Sequence, residues 1–182
     1  MDVMRAPFWF MRHGETDWNR DGLIQGSTDV PLNATGRAQA ADAAVILAGR
    51  GITAVWSSPL QRARETADVV AAALGLPVTV DEGLREAGFG THEGQVMGEW
   101  FTAWAAGEAC PEGGESFADL SVRAVVAMNA VLSGGGLPFI VAHGGFFRAV
   151  RHAIGFSSAV RTPNGVPVLC TPGDPWTITP AS

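Results

Sequence analysis

Short apolar, β-rich runs alternate with stretches of helical character along this chain. That alternation is the tightest limit on what it can fold into. The runs cover 8–11, 54–56, 77–80, 139–142 and 166–170. After the first, Asn33 can cap a helix carrying Ala38, Ala41, Val45 and Leu47, which ends near Gly49 and Gly51. Pro59 opens a second helix through Arg62, Ala63, Ala67, Val70 and Leu74, stopped by Gly75 before Pro77. Ser116 caps a third, with Leu120, Ala124, Ala127, Met128 and Val131 on one stripe and three glycines, 134–136, closing it. A fourth runs from about 146 to 154. Strand and helix in turn predict an α/β fold, a three-layer α/β/α sandwich on a mostly parallel sheet with right-handed crossovers. With no repeat and no low-complexity linker, 1–182 reads as a single domain. A short, irregular cap insert occupies about 91–115.

Composition narrows the partners. The chain is 47% hydrophobic and 16% charged, which suits a packed globule. A formal charge of -6 argues against nucleic acid and against an acidic membrane surface. All 12 basic residues are arginine, which excludes a P-loop lysine and Schiff-base chemistry. Cys110 and Cys170 have no metal-ligand spacing. Six positions after each stands Ser116 or Trp176, where a cysteine phosphatase needs an arginine. Buried free thiols are the expectation. The apolar run near the N-terminus ends at Arg12, too short for a signal peptide or a membrane span, so a cytoplasmic location is expected.

In an open α/β sheet, ligands bind beyond the carboxyl ends of the strands. Four polar motifs sit there: Arg12-His13-Gly14, Ser57-Ser58-Pro59 leading to Arg62, Leu84-Arg85-Glu86, and His143-Gly144-Gly145. A parallel sheet would bring two histidines, two arginines and a glutamate to one edge. Such a set can transfer a phosphoryl group without a metal. A neutral His13 supplies the nucleophilic ring nitrogen while the other nitrogen donates to a carbonyl. Arg12 and Arg62 clamp the phosphoryl oxygens, and His143 adds a donor. The Gly144 and Gly145 amides begin a helix and suit an anion. Glu86 protonates the departing alcohol, then deprotonates the attacking water.

At this point the chain resembles the histidine phosphatase superfamily, in the branch that includes cofactor-dependent phosphoglycerate mutases. The likeness spans nearly the whole chain. It rests on Arg-His-Gly-Glu-Thr at 12–16, Asn19 with Gln25-Gly26, Pro31-Leu32 leading to Gly36-Arg37, and Ser-Ser-Pro-Leu-Gln-Arg-Ala at 57–63 with Thr66-Ala67. Leu84-Arg85-Glu86 with Phe89-Gly90 and Glu93-Gly94, Gly113-Gly114-Glu115-Ser116, and Val-Ala-His-Gly-Gly at 141–145 complete it. The resemblance implies a phosphoglycerate mutase-like fold and no cofactor or metal. It implies His13 as the phosphorylated residue, Arg12, Arg62 and His143 as the phosphate pocket, and Glu86 as proton donor. By the same match, Asn19 and the backbone around Gln25 and Gly26 should touch a small phosphomonoester substrate.

Other residues have plainer readings. Asn19 could bond its own turn, and Thr16 could cap a helix. Glu15 at a helix start follows from the dipole. Arg37 and Arg85 read as structural, Arg64 as solvated or structural, His92 has no role in the match, and His152 reads as a surface or satisfied histidine. For Arg123 a buried ion pair is the default. The insert from 89 to 116 has no arginine or lysine but five glutamates, Glu93, Glu99, Glu108, Glu112 and Glu115. A bisphosphorylated intermediate would be poorly received there, so hydrolysis is expected over mutase-type transfer, with a leaving group that is not strongly anionic. A non-catalytic phosphate-binding module would lack a core residue, and none is lost. Trp100, Phe101 and Trp104 line the pocket or pack in the core. The last strand, with Trp176 and Ile178, either pairs with a partner in a homodimer or is covered by Pro172, Pro175 and Pro180.

Overall fold

The computed structural model describes residues 2–182. Its strands are β1 (Phe8–Arg12), β2 (Ala54–Ser57), β3 (Val78–Val80), β4 (Pro138–Ala142), β5 (Val168–Thr171) and β6 (Thr177–Pro180). They form one sheet in the order β3-β2-β4-β1-β5-β6. The first four are mutually parallel, whereas β5 and β6 run antiparallel. The chain's end thus contributes two strands, with β6 as the edge.

The helices are α1 (Asp17–Arg20), α2 (Ala34–Leu47), α3 (Gln61–Leu74), α4 (Glu99–Ala105), α5 (Phe117–Ser133) and α6 (Gly144–Ala153). Because side chains alternate across a strand, β1 serves both faces of the sheet. Phe8 and Phe10 pack with α5 and α6, while Trp9 and Met11 pack with α2 and α3. Phe10 stacks on Phe147 of α6, with ring centroids 3.9 Å apart. A central strand buried on both sides reads as a continuous apolar run, which is why residues 8–11 carry no polar alternation. Among the described residues, no helix is long and apolar enough to cross a membrane.

Two helix starts differ from the sequence reading, and distant carboxylates explain both. α3 begins at Gln61 rather than next to Pro59, with Leu60 at its cap and no polar side chain of its own. Asp29 supplies the missing acceptor, taking the Gln61 amide at 2.7 Å. α6 begins at Gly144 rather than Phe146 because Glu86 accepts the Gly145 and Phe146 amides, each at 2.9 Å. Caps contributed from 32 and 59–60 residues away leave no local trace. Asn33 and Ser116 do cap α2 and α5, and Gly75 closes α3 at φ 66°.

Candidate active site

The carboxyl ends of β1, β2 and β4 place Arg12-His13, Ser57-Ser58 and His143 side by side, and the register fixes their levels. Arg12 is opposite Ala142, and Ser57 is opposite Val141. His13 and His143 are buried with ring centroids 5.2 Å apart. The chain leaves β1 against the start of α2, where a Cβ on Gly14 would lie 2.3 Å from the Gly36 carbonyl oxygen. Only glycine permits that approach. The Gly14 amide donates to Thr66 Oγ1 at 3.0 Å, which fastens the loop to α3.

His13 has one defined tautomer. Its Nδ1 lies 2.7 Å from the Gly14 carbonyl, which can only accept, so Nδ1 carries the proton and Nε2 its lone pair. Arg62 Nε donates to that Nε2 at 3.2 Å. Burial, then the positive charges of Arg62 and Arg12, hold the imidazole well below the usual histidine range, against the bond to Gly14. The ring is neutral at physiological pH and presents an unprotonated nitrogen in a cationic setting.

Each guanidinium is fixed by backbone. Arg62 donates to the carbonyls of Gly26 and Thr28, both at 2.8 Å. Arg12 Nη1 donates to the Thr162 carbonyl at 3.0 Å, while its Nε is buried without a protein partner. Burial pushes both arginines down to about 10, opposed mainly by Glu86, and both stay charged. The Ser58 hydroxyl accepts the Leu60 amide at 3.3 Å, which leaves its proton free for His143 Nε2, 2.7 Å away. A neutral His143 then bears its proton on Nδ1, which is also buried without a protein partner. Burial, then Arg62, His13 and Arg12, holds this ring well below its usual range too.

Glu86, Asn19, Gln25, Gly26 and Gly144 line the same pocket as Arg12, His13 and Arg62. Glu86 accepts three amides, those of Ala87, Gly145 and Phe146. The Gly145 amide, read from sequence as a phosphate donor, is therefore directed at a carboxylate. The peptide behind Glu86 is held by Arg123, which donates to the Gly83 and Arg85 carbonyls at 2.9 Å and forks onto Glu115. Asn19 does two jobs: it completes a capping box with Thr16 and lines the pocket. Gln25 accepts from Thr16 Oγ1 at 2.8 Å.

Several participants carried no legible signal. Asn164 donates to the His13 carbonyl at 2.9 Å and to Asn19 Oδ1 at 3.0 Å. Arg148 and Arg161 also line the pocket. Arg148 lies four residues after Gly144 on α6, a spacing that puts both on one helix face and could have been noticed. Arg161 comes from an irregular loop. Residues 91–115 contain no arginine or lysine, yet these two arginines reach the pocket from outside that segment. Two of its glutamates are committed elsewhere, Glu115 to Arg123 and Glu93 to the backbone at 27–28 and Phe89. The charge-based expectation of a leaving group that is not strongly anionic therefore loses part of its support. Phe101 lines the pocket; Trp104 is core, and Trp100 stacks on His92 at 3.8 Å. His152 is exposed, Cys170 buried and Cys110 exposed.

Known proteins share this arrangement. The histidine phosphatase superfamily (branch 1) model matches residues 8–162. A probable phosphoglycerate mutase, GpmB, of Salmonella paratyphi B is 36% identical over 147 residues, 75% of this chain and 68% of the relative. A mycobacterial glucosyl-3-phosphoglycerate phosphatase solved with vanadate superposes with TM-score 0.83 at 28% identity, covering 94% of this chain and 96% of the other. The alpha-ribazole phosphatase of Shigella flexneri gives TM-score 0.80 at 28% identity over 97% and 96%. With its fold, its sequence and the histidine pair at its strand ends in agreement, the chain belongs to the histidine phosphatase superfamily, branch 1.

Proposed function

We propose that the protein hydrolyses small phosphomonoesters through a phosphohistidine at His13, without a metal. His13 carries this reading: a buried, neutral ring whose proton is committed to Gly14, so that Nε2 faces Arg62 as a base. Nε2 forms a bond to phosphorus as the bond from phosphorus to the ester oxygen breaks. Glu86, in its acid form, gives its proton to the departing alcohol. Water then attacks the phosphohistidine, loses a proton to Glu86, and phosphate leaves with His13 restored. Arg12, Arg62 and His143 hold the phosphoryl oxygens, and the unpartnered Arg12 Nε and His143 Nδ1 are donors an oxyanion would satisfy. Asn19, Gly144 and the backbone at Gln25 and Gly26 shape the same anion site.

The solved relatives named above are phosphatases, and the sequence relative is a probable mutase. The cavity of about 150 Å³ suits a small metabolite better than a folded phosphoprotein. The assay is a panel of phosphomonoesters, together with 3-phosphoglycerate and a bisphosphate primer, with and without chelator. Chelator-resistant hydrolysis is expected, lost by a factor of about 10³ or more in His13→Ala. Primer-dependent isomerisation far faster than hydrolysis would establish mutase-type transfer instead, and loss of activity with chelator would refute the metal-free route.

A further inference from the structure

The loop that carries Glu86 has no ladder of its own. Residues 85–89 belong to no helix or strand, and the backbone of such a segment is ordinarily loose. An arginine on the neighbouring helix supplies what the backbone lacks. Arg123 of α5 donates twice from Nη1, to the Gly83 and Arg85 carbonyls, each at 2.9 Å. Its Nε and Nη2 fork onto the two oxygens of Glu115 at 2.9 and 2.6 Å, and Nη2 lies 3.5 Å from the Glu86 carbonyl. Every N–H of the guanidinium is thus directed at an acceptor, and three of those acceptors are peptide carbonyls at or just before the general acid.

Packing holds the same frame. Gly83 lies against Ala127, one turn beyond Arg123, where a Cβ would come within 2.8 Å of the Ala127 side chain. The Glu115 backbone takes part as well. Its amide donates to the Gly88 carbonyl at 2.7 Å, and its carbonyl accepts from Trp104 Nε1 of α4 at 2.9 Å. A plain ion pair would end at Glu115; the carbonyl bonds set where the peptide of Glu86 lies.

That peptide governs one oxygen. Glu86 Oε1 accepts the Ala87 and Phe146 amides, which occupies both its lone pairs. Oε2 accepts the Gly145 amide alone and keeps a place for a proton. In the acid form the proton therefore sits on Oε2. As the bond from phosphorus to the ester oxygen breaks, that oxygen takes the Oε2 proton, and the carboxylate remains on its three amides. Such a transfer tolerates little displacement, because donor and acceptor must come within about 2.6–3.2 Å. The geometry points to Arg123 as a positioning residue for proton donation: anchored by Glu115, it fixes the Glu86 peptide so that Oε2 meets the departing alcohol. This rests on the phosphatase reading and gives its acid a support from outside the pocket.

The test sets two leaving groups against each other, in propyl phosphate and p-nitrophenyl phosphate. Propoxide needs a proton to depart and p-nitrophenolate does not, so only the first ester depends on a well-placed acid. In Arg123→Met, kcat/KM for propyl phosphate is expected to fall about 10–100-fold, a share of what a general acid contributes. For p-nitrophenyl phosphate it should fall less than about threefold. Glu115→Gln keeps the arginine but weakens the fork, and should show the same selectivity to a smaller degree; it carries the test should the Arg123 variant not fold. Arg123→Lys should recover only part of the loss, since an ammonium cannot serve the carbonyls and Glu115 together. In a Glu86→Gln background, Arg123→Met should cost nothing further on propyl phosphate, because the proton it positions is gone. Equal losses on both esters, an unchanged Glu115→Gln, or additive losses in the double variant would overturn the assignment while leaving His13-dependent hydrolysis intact. A parent that hydrolyses only p-nitrophenyl phosphate has no working acid to position, and the assignment falls. If the parent hydrolyses neither ester, the phosphatase reading fails and takes the assignment with it.

Discussion

The two ends of this pocket are built differently. At the deep end, His13 and Arg62 are almost wholly buried, His143 lies fully buried beside His13, and carbonyls, a hydroxyl and one another fix their polar atoms: Gly14 for His13, Gly26 and Thr28 for Arg62, Ser58 for His143. At the mouth, Phe101 and Arg148 hold each other by stacking, Met97 is half exposed, and Arg161 projects from a loop. Dipoles locked in place before the substrate arrives need no reorganisation as charge moves, so the deep end suits the chemistry. Side chains held by packing can change without disturbing that machinery, so the mouth suits selection among leaving groups.

The largest effect should come from breaking the deep end at Arg62. Arg62→Lys keeps the charge but cannot donate to Gly26, Thr28 and His13 together, because an ammonium lacks the planar fork. We expect kcat to fall by about 10²–10³, the usual cost of losing a preorganised donor at a transition state. KM should change far less than kcat. A lysine variant within threefold of the parent in kcat would mean that geometry at the deep end matters no more than charge.

The same division explains what could be read from the amino acids alone. The deep end lies in contiguous motifs at strand ends, so His13, Arg12, Arg62, Glu86 and His143 were legible together, and the alternation of runs announced a largely parallel sheet. Arg148 and Arg161 belong to the mouth and enter from a helix interior and an irregular loop, where only the four-residue spacing of Arg148 from Gly144 marks either as facing the site. The acids of the insert were misread for a related reason. Glu93 and Glu115 are engaged with partners many residues away, and sequence displays charge without displaying what it is bonded to. The antiparallel β5 and β6 were likewise hidden, since strand direction follows from tertiary pairing rather than from local propensity.

Acid should expose the deep end as the pH-sensitive half. His13 and His143 are both held well below the ordinary histidine range, in each case chiefly by burial and next by Arg62. Above about pH 6.5 each ring is neutral whether the chain is folded or not, and neither contributes to pH dependence. As pH falls through that value, the unfolded ring takes a proton that the native ring refuses. Unfolding then gains up to about 1.4 kcal/mol per pH unit for each histidine, until the folded-state value is reached. Urea unfolding at about pH 7 and about pH 5.5 measures this, and His143→Gln should flatten the slope by about half. A midpoint that stays constant over the interval would show that the two rings are less secluded than their surroundings indicate.

The smallest effect, and the finest probe of the contrast, is at Glu93. This residue belongs by sequence to the insert, yet its carboxylate accepts from the Ser27 and Thr28 amides, the Thr28 hydroxyl and the Phe89 amide. The loop it ties down presents the Gly26 and Thr28 carbonyls to Arg62. It also crosses Gly26 at φ 53°, where a Cβ would lie 2.2 Å from Glu93 Oε1, so the carboxylate and the glycine fit one another. Glu93→Gln keeps the size but replaces one acceptor oxygen by a donor, which the facing amides cannot use. We expect about 1–2 kcal/mol of stability to be lost, and a three- to tenfold fall in kcat, roughly the cost of one weakened charge-assisted bond relayed to Arg62. If Glu93 serves the deep end, KM should stay put while kcat drops. A shift in KM with kcat intact would assign Glu93 to the mouth, and the boundary between the two halves would have to be drawn through the 25–28 loop.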